Sequence, residues 1–202
     1  QYVLKTINEE SHRTSERLSK KYGTVFDRLG IKSKNNLANC ACTCIAPTGS
    51  TSMIHNVSSG IEPYFALAYR RSLNGKLQDE VIMNKHLEKY LKDNGLYNED
   101  VIDTIITKGI EHVSLIPNEV KEVFITAQSM KPEDHVMMQA MAQKYIDNSI
   151  SKTCNFPHSA THEDVAKIYT MAYDNGCKGI TVYRDGCRDS QVFSCKNGSC
   201  DQ

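Results

Sequence analysis

The stretch "NLANCACTCIAPTGSTSMIHN", residues 36–56, decides how the chain is read. From Asn35 to Ile61 there is no Asp, Glu, Lys or Arg, although charged residues make up 24% of the chain. Its first half alternates small and β-tolerant residues, the pattern of a strand buried on both faces. Cys40, Cys42 and Cys44 would then point to one side of that strand. Pro47, Thr48 and Gly49 turn the chain, and a short helix begins. A strand, a glycine-containing turn and a helix start leave backbone N–H groups unpaired at the positive end of a helix dipole, which suits an anion. Thr48, Ser50, Thr51 and Ser52 add hydroxyl donors, and Gly49 lets the backbone come close. A carboxylate here would repel a phosphate, which accounts for the missing charge. The competing reading is an ordinary central strand and a capped helix, since there is no P-loop lysine and no G-x-G-x-x-G.

Outward from this segment, helices and strands alternate. Residues 8–28 carry Leu18, Tyr22, Val25 and Phe26 at helical spacing, with Gly30 as a stop. Tyr64 to Tyr69 reads as a second strand. Val81–Lys92, Val101–Lys108 and Pro117–Gln128 read as helices, the last with Pro at its first turn. "KPEDHVMMQAMAQKYID" repeats that opening, and Met138, Met141 and Tyr145 form its expected core stripe. "SISKTCNFP" reads as strand or loop. In "ATHEDVAKIYTMAYDNG", Thr161 and Asp164 form a capping box, Val165, Ile168 and Ala172 share a face, and Gly176 ends the helix. "GITVYR" follows as a strand. This order predicts an α/β fold with mainly parallel strands. The last dozen residues are polar and aperiodic, and read as a mobile tail.

Composition narrows the function classes. The 24 basic and 24 acidic residues cancel and the pI is about 7.2, without basic runs or acidic tails. A dedicated nucleic-acid or membrane-surface protein is therefore not expected. No apolar run approaches the ~20 residues of a membrane span. The 8 cysteines are too sparse for a secreted disulfide framework, so a reducing cytoplasm is expected.

Three readings of Cys195 and Cys200 stand side by side: incidental thiols, half of a zinc site with Cys187, or a redox pair. Four intervening residues including Gly198 allow a disulfide to close. In "CACTC", side chains at i, i+2 and i+4 of one strand would spread over ~13 Å, too far to chelate one ion. Those three cysteines are therefore expected to be core thiols. His135, on the Met-rich helix, reads as a core or capping histidine.

"IAPTGSTSMIHNVSSGIEPYFALAYRR", "QKYIDNSISKTCNFP", "GCKGITVYRDGCR" and the terminal "CKNGSC" occur in this order. Together they resemble the C-terminal part of the ribonucleotide reductase catalytic subunit, from about residue 10 to the end. The resemblance implies the C-terminal portion of a ten-stranded α/β barrel over residues 1–188 and a flexible redox tail over residues 189–202. It implies that Pro47, Thr48, Gly49, Ser50, Thr51 and Ser52 bind the substrate ribonucleotide's phosphates. It also implies that Cys195 and Cys200 re-reduce an active-site disulfide and are recharged by a thioredoxin-like reductant. Thr181 and Val182 stand where oxygen-dependent members carry a tyrosine pair. That departure resembles the adenosylcobalamin-dependent class, in which a thiyl radical takes the ribose 3′ hydrogen and the 2′-hydroxyl leaves as water. "NCAC" has Asn39 and Cys40 but no nearby Glu, and lies on the wrong side of the phosphate loop for the catalytic finger loop. The finger loop and the rest of the catalytic subunit are thus expected upstream, and the chain is expected to be a fragment or split-gene product, inactive by itself. A non-catalytic nucleotide- or partner-binding module is the other reading. Cys154, Cys177 and Cys187 read as structural.

Overall fold

The computed structural model describes the backbone of residues 1–32, 34, 36–55, 57–73, 76–187, 194–196 and 199–201, and their side chains apart from 53, 71–73, 76–80 and 194–201. Along these residues the elements are α1 (Tyr2–Tyr22), α2 (Val25–Arg28), α3 (Gly49–His55), β1 (Ala68–Leu73), β2 (Lys76–Met83), α4 (Lys85–Asp93), α5 (Glu99–Lys108), α6 (Asn118–Lys121), α7 (Pro132–Gln143), β3 (Thr153–Phe156), α8 (His162–Asp174), β4 (Thr181–Arg184), β5 (Ser194–Lys196) and β6 (Ser199–Asp201). They fall into two compact units. One comprises Gln1–Thr48, Pro132–Cys154 and Ala160–Val182, the other Gly49–Lys131, Asn155–Ser159 and Tyr183–Gln202.

In the first unit the helix expected over residues 8–28 starts earlier and is broken in two. Gly23 takes φ 74°, a left-handed conformation that ends α1, and Thr24 and Asp27 form a capping box that restarts the helix as α2. α1 is docked through Ser15, which is 2% exposed. Its Oγ donates to Asn39 Oδ1 at 2.8 Å, and its carbonyl accepts from the Ala38 N–H at 3.2 Å. Asn39 is thus a packing residue.

α7 buries a face other than the one its methionines suggested. Met138 is 41% exposed, whereas His135, Gln139 and Gln143 are buried beside Val136, Ala140 and Ala142. Each buried polar group has a partner, as burial requires. Gln139 Nε2 donates to the Gly179 carbonyl at 2.6 Å, and Gln143 Nε2 donates to the carbonyls of Ile146 and Asn148 at 2.9 and 2.8 Å. Lys152, 2% exposed, places Nζ 2.7 Å from His135 Nδ1, so His135 is the core histidine its setting suggested. α8 has the predicted capping box, with Thr161 Oγ1 accepting from the Asp164 N–H, and buries Ile168 and Ala172.

The second unit has an apolar core. Leu87 and Leu91, one turn apart on α4, are fully buried against Val101, Ile102, Ile105 and Ile106 of α5 and Ile110, Val113 and Ile116 beyond it. Burying each such side chain contributes about 1.5–3 kcal/mol. The helix expected from Val81 begins only at Lys85. β-Branched and apolar residues carry β2 to Met83, and Asn84 then caps α4 by accepting from the N–H groups of His86 and Leu87. The strand expected at Tyr64–Tyr69 is displaced to β1, leaving Tyr64 in an isolated parallel bridge with Thr126. The helix expected over Pro117–Gln128 stops at Lys121. Beyond it, Thr126 and Ser129 bond each other's hydroxyls and backbone, a local turn that competes with helix.

The four-stranded sheet is mixed, which corrects the expectation of mainly parallel strands there. It has the order β2-β1-β6-β5, with β1 antiparallel to β2, parallel to β6, and β5 antiparallel to β6; β3 and β4 form a separate pair. No helix among the described residues is long and apolar enough to cross a membrane.

The α8 cap generates a prediction. The Thr161 backbone N–H and hydroxyl, in that order, hold the Asp164 carboxyl below its ordinary value. A carboxylate depressed on folding adds stability that is present above the unfolded value of ~3.9 and is lost as pH falls through the folded one. Asp164→Asn should therefore lower the urea midpoint at neutral pH and lower it much less at a pH well below the unfolded value. An equal loss at both pH values would contradict the assignment.

Candidate functional site

The segment leading to α3 does not form the expected doubly buried strand. Among residues 36–48 only Ile45 makes a strand bridge, parallel to Ile150. The rest is irregular, and Cys40 and Cys44 are exposed while Cys42 is half-buried. The three therefore are not core thiols.

The physical reason is that this chain's hydrogen bonds are taken by side chains and loop backbone. Asp147, just beyond α7, accepts from the Cys42 N–H at 2.7 Å, and its own N–H donates to Thr43 Oγ1 at 2.9 Å. Asn148 N–H donates to the Thr43 carbonyl at 3.1 Å and Ser151 N–H to the Ile45 carbonyl at 2.9 Å. From α1, His12 Nε2 lies 2.9 Å from both Asp147 carboxylate oxygens, and Asn8 Nδ2 donates to one of them at 3.3 Å. Partial burial pushes the Asp147 carboxyl up, but the Cys42 N–H and then His12 outweigh it and hold the group below the usual carboxylate range. His12, Cys42 and Asp147 were not foreseen as a group. They come from three segments, and His12 and Asp147 stand 135 positions apart. The sequence's one signal was that Asp147 lies within the "QKYIDNSISKTCNFP" block.

Thus held, the chain passes through exposed Pro47 and half-buried Thr48, and α3 starts at Gly49 as expected. Ser50 and Thr51, in the first turn, are exposed, and a Cβ on Gly49 would meet nothing within 4 Å. Ser52 differs from its expected use: it is 8% exposed and its Oγ donates to the Gly49 carbonyl at 2.7 Å, bracing the turn from inside.

In the tail, residues 188–193, 197–198 and 202 lie outside the described residues. The backbone of β5 and β6 forms an antiparallel pair in which Cys195 stands opposite Cys200, and β6 adjoins β1 with Arg71 opposite Cys200. Directly opposed residues on antiparallel strands have Cα atoms about 4.5–5.5 Å apart, within the range from which a disulfide closes. Cys154 is buried, with Sγ 3.4 Å from the Pro132 carbonyl; burial pushes the half-buried Cys177 thiol up; Cys187 is exposed. Thr181 and Val182 open β4.

Residues 3–183 match the family model described as "Ribonucleotide reductase, barrel domain". The chain belongs to the ribonucleotide reductase family. Among its relatives, the vitamin B12-dependent ribonucleoside-diphosphate reductase of Thermoplasma acidophilum is 42% identical over 201 residues, covering 95% of this chain and 25% of the relative. The enzyme of the same name from Mycobacterium tuberculosis (strain CDC 1551 / Oshkosh) is 35% identical, covering 95% and 28%. Among solved structures, the Actinobacillus ureae class Id ribonucleotide reductase alpha subunit superposes with a TM-score of 0.76 at 26% identity, over 92% of this chain and 33% of that one. The chain thus spans about a quarter of the length of these B12-dependent relatives.

Proposed function

We propose that this chain is the C-terminal part of an adenosylcobalamin-dependent ribonucleotide reductase, supplying the substrate's phosphate site and the cysteine relay of a larger catalytic subunit. The observation that carries the reading is the 42% identity to a B12-dependent reductase across 95% of this chain. In this reading residues 1–188 belong to the catalytic barrel and residues 189–202 are the redox tail.

Pro47, Thr48, Gly49, Ser50, Thr51 and Ser52 form the phosphate cradle. Their part is electrostatic: first-turn N–H groups and the exposed hydroxyls of Ser50 and Thr51 face an anion without acidic competition. Ser52 acts indirectly, by holding the turn closed through the Gly49 carbonyl. The radical chemistry belongs to the longer subunit, where adenosylcobalamin would supply the radical. The absence of a tyrosine pair at Thr181 and Val182 fits a radical that does not arrive along this strand. Cys195 and Cys200 carry the two electrons. Their dithiol is oxidised to a disulfide as the active-site disulfide is reduced, and a thioredoxin-like protein then reduces the tail.

The decisive experiment uses the full-length subunit, with the residues upstream of Gln1. Ribonucleotide reduction should require added adenosylcobalamin, proceed without oxygen and need no metal-bearing radical subunit. Activity indifferent to cobalamin would refute the class. Ser50→Glu should abolish substrate binding measured by calorimetry, because it sets a carboxylate against the phosphates and removes a hydroxyl. Unchanged affinity would remove the cradle. Cys195→Ser with Cys200→Ser should abolish turnover driven by a thioredoxin-like protein yet spare turnover driven by a small dithiol, which enters the site directly. Full activity with the protein reductant would end the relay assignment.

A further inference from the structure

We infer that His12, Cys42 and Asp147 form a binding site for a divalent transition-metal ion of the zinc type, with a fourth coordination position open to solvent. The site lies within one compact unit. One ligand atom from each residue lies within 4.8 Å of the others. Imidazole, thiolate and carboxylate together are the donor set of zinc and of cobalt(II), and three protein ligands leave one tetrahedral position for water.

The geometry is close to what an ion requires. At Zn–N and Zn–O distances of ~2.0–2.2 Å and Zn–S of ~2.3 Å, tetrahedral donors stand ~3.3–3.6 Å apart. The His12 nitrogen and the Asp147 oxygens are already 2.9 Å apart, with the proton of a hydrogen bond where a cation would sit. Replacing that proton by the ion widens the pair by a few tenths of an ångström and draws Cys42 Sγ inward by on the order of 1 Å. Binding is not a redox step: the Cys42 thiol and the His12–Asp147 hydrogen bond each give up a proton to solvent where they hold one, and three dative bonds form.

Outer contacts also suit a ligand role. Asn8 Nδ2 and the Cys42 N–H donate to the Asp147 carboxylate, fixing its direction, as partners of metal-bound carboxylates do. The side chains of His12 and Asp147 are 36% and 20% exposed, so the ion can enter without unfolding. A cleft lined by Glu10, Ser11, Leu18, Asn39, Ala41 and Cys42 opens at this point and supplies the solvent side. An ion here would tie α1, the segment before the phosphate loop and the turn after α7 to one point.

The test titrates cobalt(II) into the chain carrying Cys195→Ser and Cys200→Ser, which removes the tail thiols as competitors. One equivalent should produce thiolate-to-cobalt charge-transfer absorption and the intense visible bands of a four-coordinate ion. Zinc should displace the cobalt and raise the thermal midpoint, and a chelator should reverse both. Cys42→Ser should abolish the charge-transfer band with unchanged circular dichroism, and His12→Gln should weaken cobalt binding at least tenfold. A band that survives Cys42→Ser, a six-coordinate spectrum or no saturable binding overturns the site. Should Cys42→Ser fail to fold, X-ray absorption of the zinc-loaded parent decides: one sulfur with nitrogen and oxygen ligands supports the site, and no sulfur or more than one overturns it.

Discussion

The Asp147 carboxylate has to satisfy several donors at once, and the course of residues 38–48 follows from that demand. A segment with only Ile45 in a bridge cannot close its own hydrogen bonds through a ladder, yet a half-buried backbone N–H left open is costly. Asp147 meets the Cys42 N–H from one side and His12 and Asn8 of α1 from the other. Thr43 answers with its hydroxyl and carbonyl toward residues 147 and 148. The backbone up to Ile45 is thereby fixed by polar contacts together with one parallel bridge to Ile150.

How much of this was legible depended on whether the cause was local. The Thr161–Asp164 box, Pro132 at the first position of α7 and the start of α3 at Gly49 all express short-range chemistry, and all stand where the sequence put them. The break at Gly23 was also local, but the apolar spacing on either side of it hid the stop. The Met stripe misled because hydrophobicity alone ranked Met138 above Gln139, whereas Gln139 can be buried once it reaches the Gly179 carbonyl. Nothing in "CACTC" announces that the Cys42 N–H is claimed by a residue about a hundred positions away. Periodicity cannot report a contact of that range. The family resemblance could, since it rests on several ordered blocks, but it speaks of type and not of bond.

The same division runs through the candidate sites. The expectation that residues 47–52 bind an anion rested on the absence of charge, a property of composition; Ser50 and Thr51 of the first turn are exposed. Ser52 kept its hydroxyl for the turn itself, a choice visible only when the helix is built. The His12–Cys42–Asp147 cluster had no signature in its spacing, because that spacing is set by tertiary packing.

The two units bury different chemistry, and this has a thermal consequence. Around α4 and α5 the interior is hydrocarbon, while beneath α7 His135, Gln139, Gln143 and Lys152 share it with Val136, Ala140, Ala142 and Ile168. Exposing apolar surface raises the heat capacity of unfolding and exposing polar surface lowers it. The hydrocarbon interior around α4 and α5 therefore contributes more to the curvature of stability against temperature than an interior of the same size that includes hydrogen-bonded side chains, and cooling takes more from it.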